Sequence, residues 1–342
     1  MKHKKKAQIE ISFNWVFVLI AGAAILFFFI RIISSEIGIS EDVSVRRAVQ
    51  QMNSVMSALQ QNPDSVRVED AINYNINFEC TIEGHVYGIR NARQPLPHQV
   101  IFTPDRIGDS RLIAWVRMIN APFPVTSSLY LTDELTKYVF LSDYDNVNNN
   151  NVRKYYDLFP DEISKEYISF QEFRGRQHEG YENYILIMNK DLEMGPFSFP
   201  DRRIRDRLSQ MIVINQNKII FYDLSGQIET VPEQVKELDY FTDELAIGAI
   251  ITGNYALYEC VLEKILEQTR IAADINKERI ASIYDAYEGH RCDINYGLIV
   301  QGYFEDLSIA ARNQNFDEIR TNIGAIRTVN NRIIREGCVQ IY

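Results

Sequence analysis

The sequence predicts an α/β-plus-α protein: an N-terminal transmembrane helix and stalk helix, a mixed α/β sheet domain, and a C-terminal antiparallel helical bundle. Three patterns predict it. An uncharged apolar run, WVFVLIAGAAILFFFI, follows a knot of lysines. Between Val66 and Ile228 short β-rich runs alternate with helical ones. From Pro232 onward the apolar residues recur at the three- and four-residue spacing of amphipathic helices.

From Ile11 to Ile30 no residue is charged, and about 20 residues at about 1.5 Å each span about 30 Å, the hydrocarbon thickness of a bilayer. The run outlasts the core of a cleaved secretory signal and ends in FFFIRIISSE rather than in small residues, so no cleavage is expected there. Lys2, Lys4, Lys5 and Lys6 precede it, whereas Glu36, Glu41 and Asp42 follow. That bias makes residues 1–10 a cytoplasmic basic leader and residues 11–33 a single crossing of the cell membrane, with lipid as partner and the bulk of the chain exoplasmic.

The residues KKKAQIEIS, with Ala7 after lysines and then Gln8, Glu10 and Ser12 ahead of the apolar run, resemble the class III signal of archaeal type IV pilins and related surface proteins. The resemblance covers this opening segment alone. It implies that a prepilin-type peptidase cuts between Ala7 and Gln8 and leaves the apolar helix attached. It also implies that Glu10 docks on the freed amine of a neighbouring subunit, with other surface proteins as partners. The family's usual order is Gln-x-Ser-x-Glu with a later Leu; here Glu10 and Ser12 are exchanged and Val16 stands at the Leu position. From the residues alone, Glu10 is an interfacial acid beside lysines.

Residues 34–62 form the stalk. Ser40 stands at the N-cap, Val45, Val49, Met52, Met56 and Leu59 lie on one helical face, and Asn62-Pro63 ends it. Residues 63–231 carry the runs INFECTI, HQVIFTP, SSLYLT, KYVFLSD, ENYILIMN, QMIVIN and KIIFYDLSG. Several are apolar on both faces, as strands covered on both sides are. GDSRLIAWVRMIN and NNVRKYYDLFPDEISKEYI read as helices between them, which suggests a mixed sheet of about five or six strands. QMIVINQNKIIFYD reads as a hairpin turning at Gln216-Asn217. Residues 232–342 form the bundle: a helix from Tyr255 to Glu288, then INYGLIVQGYFEDLSIAAR, then NFDEIRTNIGAIRTVNNRIIRE, which opens on a capping box of Asn315 with Glu318 and stops at Gly337.

With 36 basic against 46 acidic residues the net charge is −10, and the lysines of the leader account for part of the basic side, so nucleic acid is excluded as a partner. The four cysteines, Cys80, Cys260, Cys292 and Cys338, lie on the side where disulfides persist. They lack the paired spacing of a zinc site, and neither a metal nor a cofactor is implied. One straight helix from Tyr255 to Glu288 separates Cys260 from Cys292 by about 32 residues, roughly 48 Å. A bridge needs Cα atoms within about 7 Å, so these two cannot join. The last helix climbs back towards Cys292, which pairs Cys292 with Cys338 and leaves Cys80 for Cys260.

Four runs end in acids: Asp105, Asp143 with Asp145, Asp191 and Asp223. Open α/β sheets place ligands at the carboxyl ends of strands. KYVFLSDYDNV is similar to the first motif of haloacid-dehalogenase-like phosphatases, a resemblance that makes Asp143 a nucleophile and Asp145 a general acid, with Mg²⁺ at the phosphoryl group. That motif normally opens its domain, and no later G-D-x-x-x-D pair follows here. His85, His98 and His178 read as loop or turn residues, and no nucleophile elbow, H-E-x-x-H or P-loop occurs. The sequence therefore predicts no enzyme but a single-pass exoplasmic protein with a structural or interaction role, in the manner of a large pilin-like subunit. A solute-binding or sensing domain, using a cleft between the α/β and helical parts, is the alternative, and the phosphatase the second alternative.

Overall fold

A computed structural model describes residues 18–28, 31, 45–46, 48–50, 52–54, 64–69, 75–81, 84–90, 92–96, 100–108, 110–142, 151–175, 180–189, 207–224, 234–290, 292 and 296–342. The chain divides into two compact units, Met1–Asn53 and Ser54–Tyr342. In the first, residues 18–28 are helical and their large apolar side chains are exposed. Of the expected stalk stripe, Val45 and Met52 are buried. Among the described residues no helix is long and apolar enough to cross a membrane; the rest of the expected span, apart from Arg31, lies outside them, as do Ala7, Gln8 and Glu10.

The second unit is a mixed α/β structure with three sheets and C-terminal helices. Its centre is a six-stranded sheet in the order β10 (Lys165–Ser169), β9 (Thr136–Ser142), β11 (Asn183–Asn189), β12 (Leu208–Asn215), β13 (Lys218–Asp223), β14 (Gln234–Asp239). The first four strands are parallel and the last two pair antiparallel. Period-two alternation sorts their side chains. Tyr138, Phe140, Ile185, Ile187, Ile212 and Ile214 enter one core, while Val139, Leu141, Leu186, Met188, Met211 and Val213 enter another on the opposite face. Two covered faces explain why these runs are apolar throughout. The β12–β13 hairpin turns at Gln216-Asn217 as its sequence predicts, with Gln216 at φ 48°.

A second sheet has the order β1 (Val66–Glu69), β7 (Leu112–Asn120), β8 (Pro124–Asp133), β5 (Val100–Phe102), and a third the order β4 (Ala92–Leu96), β3 (Gly84–Ile89), β2 (Ile76–Thr81), β6 (Arg106–Ile107). Here the structure corrects the sequence reading. GDSRLIAWVRMIN is a strand rather than a helix: β7 pairs with β8 from Leu112 opposite Asp133 to Ile119 opposite Thr126. Ile113, Trp115 and Ile119 alternate into the main core, a placement that only the neighbouring strands supply. The stretch 150–168 splits into a helix, α1 (Asn151–Leu158), and strand β10, which pairs in parallel with β9. A short helix, α2 (Phe170–Gly175), follows. Residues 234–239, expected in the helical part, form the edge strand β14.

Four more helices complete the unit: α3 (Asp243–Thr252), α4 (Tyr255–Ala286), α5 (Leu298–Arg312) and α6 (Phe316–Arg335). Helix α3 is buried from Leu245 to Thr252, as a helix apolar all round must be. Asn254 caps α4, its Oδ1 accepting from Ala256 N at 2.9 Å and Leu257 N at 3.3 Å. Asn315 Oδ1 accepts from Glu318 N at 3.3 Å at the start of α6, and Gly337, at φ 71°, ends that helix. Helix α5 packs on both α4 and α6, and α4 lies against β2, β5, β8 and β14. The segments 63–231 and 232–342 thus share one core. Two disulfides close the unit, Cys80–Cys260 with Cα atoms 6.1 Å apart and Cys292–Cys338 with Cα atoms 6.0 Å apart, the same pairs that helix geometry selects.

Candidate functional site

The two edges of the six-stranded sheet differ in kind. Strand order reverses at β9, whose neighbours β10 and β11 follow it on opposite sides, so its carboxyl end is the topological switch point where open α/β sheets bind ligands. Asp143 and Asp145 follow β9 directly in the chain, and Asp191 follows β11, but all three lie outside the described residues. Asp223 does not join them. It ends β13, which runs antiparallel, and sits opposite Gln210 at the other edge. Asp105 belongs to the turn before β6. The strand-end acids therefore divide between different parts of the fold.

The described part of the carboxyl edge is filled by a paired polar network. Tyr155 of α1 and Tyr240 share a hydrogen bond of 3.0 Å between their hydroxyls. Tyr240 donates to the Gln216 carbonyl. Asp243 accepts from Tyr155 at 3.5 Å and pairs with Lys154 at 2.5 Å. Arg320 of α6 donates to the Tyr240 carbonyl at 3.0 Å and reaches Asp239 at 3.4 Å. Burial raises the pKa of both tyrosines, so the hydroxyls stay protonated and act as tethers.

The amino edge is open. A cleft of about 460 Å³ lies where the starts of β9, β11 and β12 meet the β5–β6 turn, the β8–β9 turn and the end of α3. Its polar lining includes Asp105, Arg106, Asp133, Glu182, Gln210 and Thr252. Asp133, 2% exposed, clamps the β8–β9 turn to the segment that follows β6. Its Oδ2 accepts from Gly108 N at 3.1 Å and its Oδ1 from Thr136 Oγ1 at 2.7 Å. A register shift between Tyr184 and Ile185 skips one residue of β12 and sets Gln210 opposite Ile185; such bulges re-aim side chains. Gln210 Oε1 and Thr252 Oγ1 are buried and have no partner among the described residues. Gly253 ends α3 at φ 64°, a left-handed conformation that favours glycine, and a Cβ there would also push on Gln210 Oε1, 2.3 Å away.

Chemically this cleft offers hydrogen-bond acceptors and an excess of carboxylates over its one arginine. It has neither histidine nor cysteine in its lining. Among the described residues no group of three His, Cys, Asp or Glu side chains is placed to hold a metal ion. The lining comes from turns, strand starts and a helix end spread between Asn75 and Thr252, and no motif marked it in the sequence. His85, read from sequence as a loop residue, is in strand β3 and 1% exposed. Gly84 and Gly88 around it look like turn formers but stand within the strand, Gly84 at φ 150°. His98 and His178 lie outside the described residues. A scan against protein-family models found no match, and searches of curated proteins and of solved structures found none either.

Proposed function

We propose that this chain is a single-pass, membrane-anchored exoplasmic protein with a structural or interaction role at the cell surface, in the manner of a pilin-like subunit. Two observations carry the reading: the first unit holds an apolar helix with exposed side chains, and the second is closed by two disulfides. Leu19, Phe27 and Phe28 are 72, 66 and 61% exposed. Water penalises such exposure at about 25 cal/mol per Å² of apolar surface, whereas a bilayer removes the penalty. Disulfides persist in oxidising compartments, and none of the described cysteines is free. The paired carboxyl edge adds support, since an interaction module needs a rigid body more than an open catalytic crevice. The test is protease added to intact cells stripped of any outer coat, with the mass of the membrane-extracted N-terminus measured in parallel. Digestion beyond Ser34 supports the orientation, and a chain starting at Gln8 supports pilin-type processing. Protection of the large unit sinks the surface assignment.

The cleft at the amino edge favours a second reading, a domain that binds a small polar solute rich in hydrogen-bond donors. Its support is an unanswered acceptor, Gln210 Oε1, beside an unanswered hydroxyl, Thr252 Oγ1, that can donate or accept. A panel of amines and polyols screened by thermal shift tests it; no shift with any of them leaves the cleft as solvated surface.

A further inference from the structure

The surroundings of the two disulfides are unlike. Cys80 stands directly opposite His85 across the β2–β3 pair, and its Sγ is 4.0 Å from His85 Nε2. Lys264 follows Cys260 by one turn of α4, on the same helical face. Its Nζ is buried without a hydrogen-bond partner among the described residues, and His85 Nδ1 is likewise unanswered. Three nearby acids are engaged elsewhere: Glu79 with Arg93, Glu259 with Lys236, Glu267 with Arg270. Burial lowers the proton affinity of Lys264, and burial together with the charge of Lys264 lowers that of His85. Two nitrogen groups therefore share a buried place in which, among the described residues, no carboxylate hydrogen-bonds to either. Cys292, by contrast, is 6% exposed, and among the described residues no histidine or lysine nitrogen hydrogen-bonds to its bridge.

We propose that Cys80–Cys260 is a thiol–disulfide exchange site for external low-molecular-mass thiols, with His85 and Lys264 placed to receive the thiolate that exchange releases. An attacking thiolate bonds to Cys260 Sγ, the Cys80–Cys260 bond breaks, and the electron pair stays on Cys80 Sγ beside His85. A second thiol then attacks the mixed disulfide, releasing the external disulfide and freeing Cys260. Two external thiols are oxidised, one protein disulfide is reduced, and the two thiol protons pass to the cysteines or to solvent. Exchange thus makes, within the site, an anion for nitrogens that have no partner among the described residues. Stabilising the leaving thiolate speeds exchange and shifts the equilibrium towards the reduced form. Cys260 is half-buried and its Sγ lies 3.9 Å from the Thr81 carbonyl at the end of β2. Reduction thus uncouples the β2–β3 sheet from α4.

The full chain, equilibrated with graded glutathione buffers, acid-quenched, alkylated and mapped by mass spectrometry, reports each bridge separately. Cys80–Cys260 is expected to open at a glutathione ratio about tenfold less reducing than Cys292–Cys338 does, with the transient glutathione adduct on Cys260. Lys264→Met should move that midpoint about threefold or more towards reducing conditions, and Lys264→Arg should restore it, a pattern that accessibility alone does not produce. Both bridges opening together overturns the proposal. So does an adduct confined to Cys80 in the unaltered chain, which needs no variant to fold, or an unchanged midpoint in a folded Lys264→Met chain.

Discussion

Around the carboxyl edge of the six-stranded sheet, Tyr155, Tyr240, Asp243 and Arg320 answer one another. On the side where the β2–β3 sheet and the cleft lie, His85 Nδ1, Lys264 Nζ, Gln210 Oε1 and Thr252 Oγ1 are buried without a partner among the described residues. Unpaired buried polar atoms are destabilising by about 1–3 kcal/mol each. The contrast is one of degree: the first region ties its phenols and charges into one network, with Thr242 Oγ1 beside it unanswered, while the second gathers several unpaired atoms that stability alone does not explain.

The largest expected effect is acid sensitivity from the unanswered side. Burial, and then Lys264, bring His85 from 6.5 to about 3. Between these values the unfolded chain binds the proton and the folded chain does not, so stability is complete above about pH 6.5 and falls as pH drops towards 3. Equilibrium urea denaturation should show a loss of about 2–4 kcal/mol between about pH 7 and pH 4. His85→Gln should flatten that slope, and an unchanged slope would mean that other groups cause it.

Asp133→Ala comes next. It strips the acceptor from Gly108 N and Thr136 Oγ1 within a buried turn, and thermal unfolding should report a loss of about 2–3 kcal/mol. At the paired edge, Tyr240→Phe should lose about 1–2 kcal/mol. Combined with Tyr155→Phe it should be non-additive by about 0.5–1 kcal/mol, because the two hydroxyls share one bond. Strict additivity would break the claim of a connected network. The smallest effect has the opposite sign. Thr252→Val removes an unanswered hydroxyl without changing shape, and should leave stability unchanged or raise it by up to about 1 kcal/mol. A clear loss in the same denaturation assay would reveal a partner for that hydroxyl.

What was legible in the sequence follows from how local each signal is. Strands β9, β11, β12 and β13 announce themselves because both their faces are apolar, and α6 because Asn315, Glu318 and Gly337 mark its ends. The disulfide pairs followed from the length of α4, a one-dimensional quantity. Strand β7 was not legible: Leu112, Ile113, Trp115, Val116 and Ile119 fit a helical stripe as well as a buried strand, and only pairing with β1 and β8 decides. Strand β14 is polar, its burial shallow and its identity set by β13. The cleft was illegible for a related reason. Asp133, Gln210 and Thr252 each look unremarkable in sequence, and their meeting depends on three turns, a bulge and the end of a buried helix.

The two disulfides also divide the second unit into covalent rings. One ring runs from Cys80 to Cys260 and holds every strand from β3 to β14; the other runs from Cys292 to Cys338 and holds α5 and α6. The rings follow one another along the chain without overlapping. A single nick inside either ring opens it but leaves both pieces covalently attached, so no fragment departs. Between the rings, the only stretch whose scission separates them is residues 261–291, most of it the helical body of α4, a conformation that proteases cleave poorly compared with exposed loops. One cut in each ring would therefore still leave a single covalent molecule until a reductant arrives, whereas a second cut in the same ring frees the piece between the two.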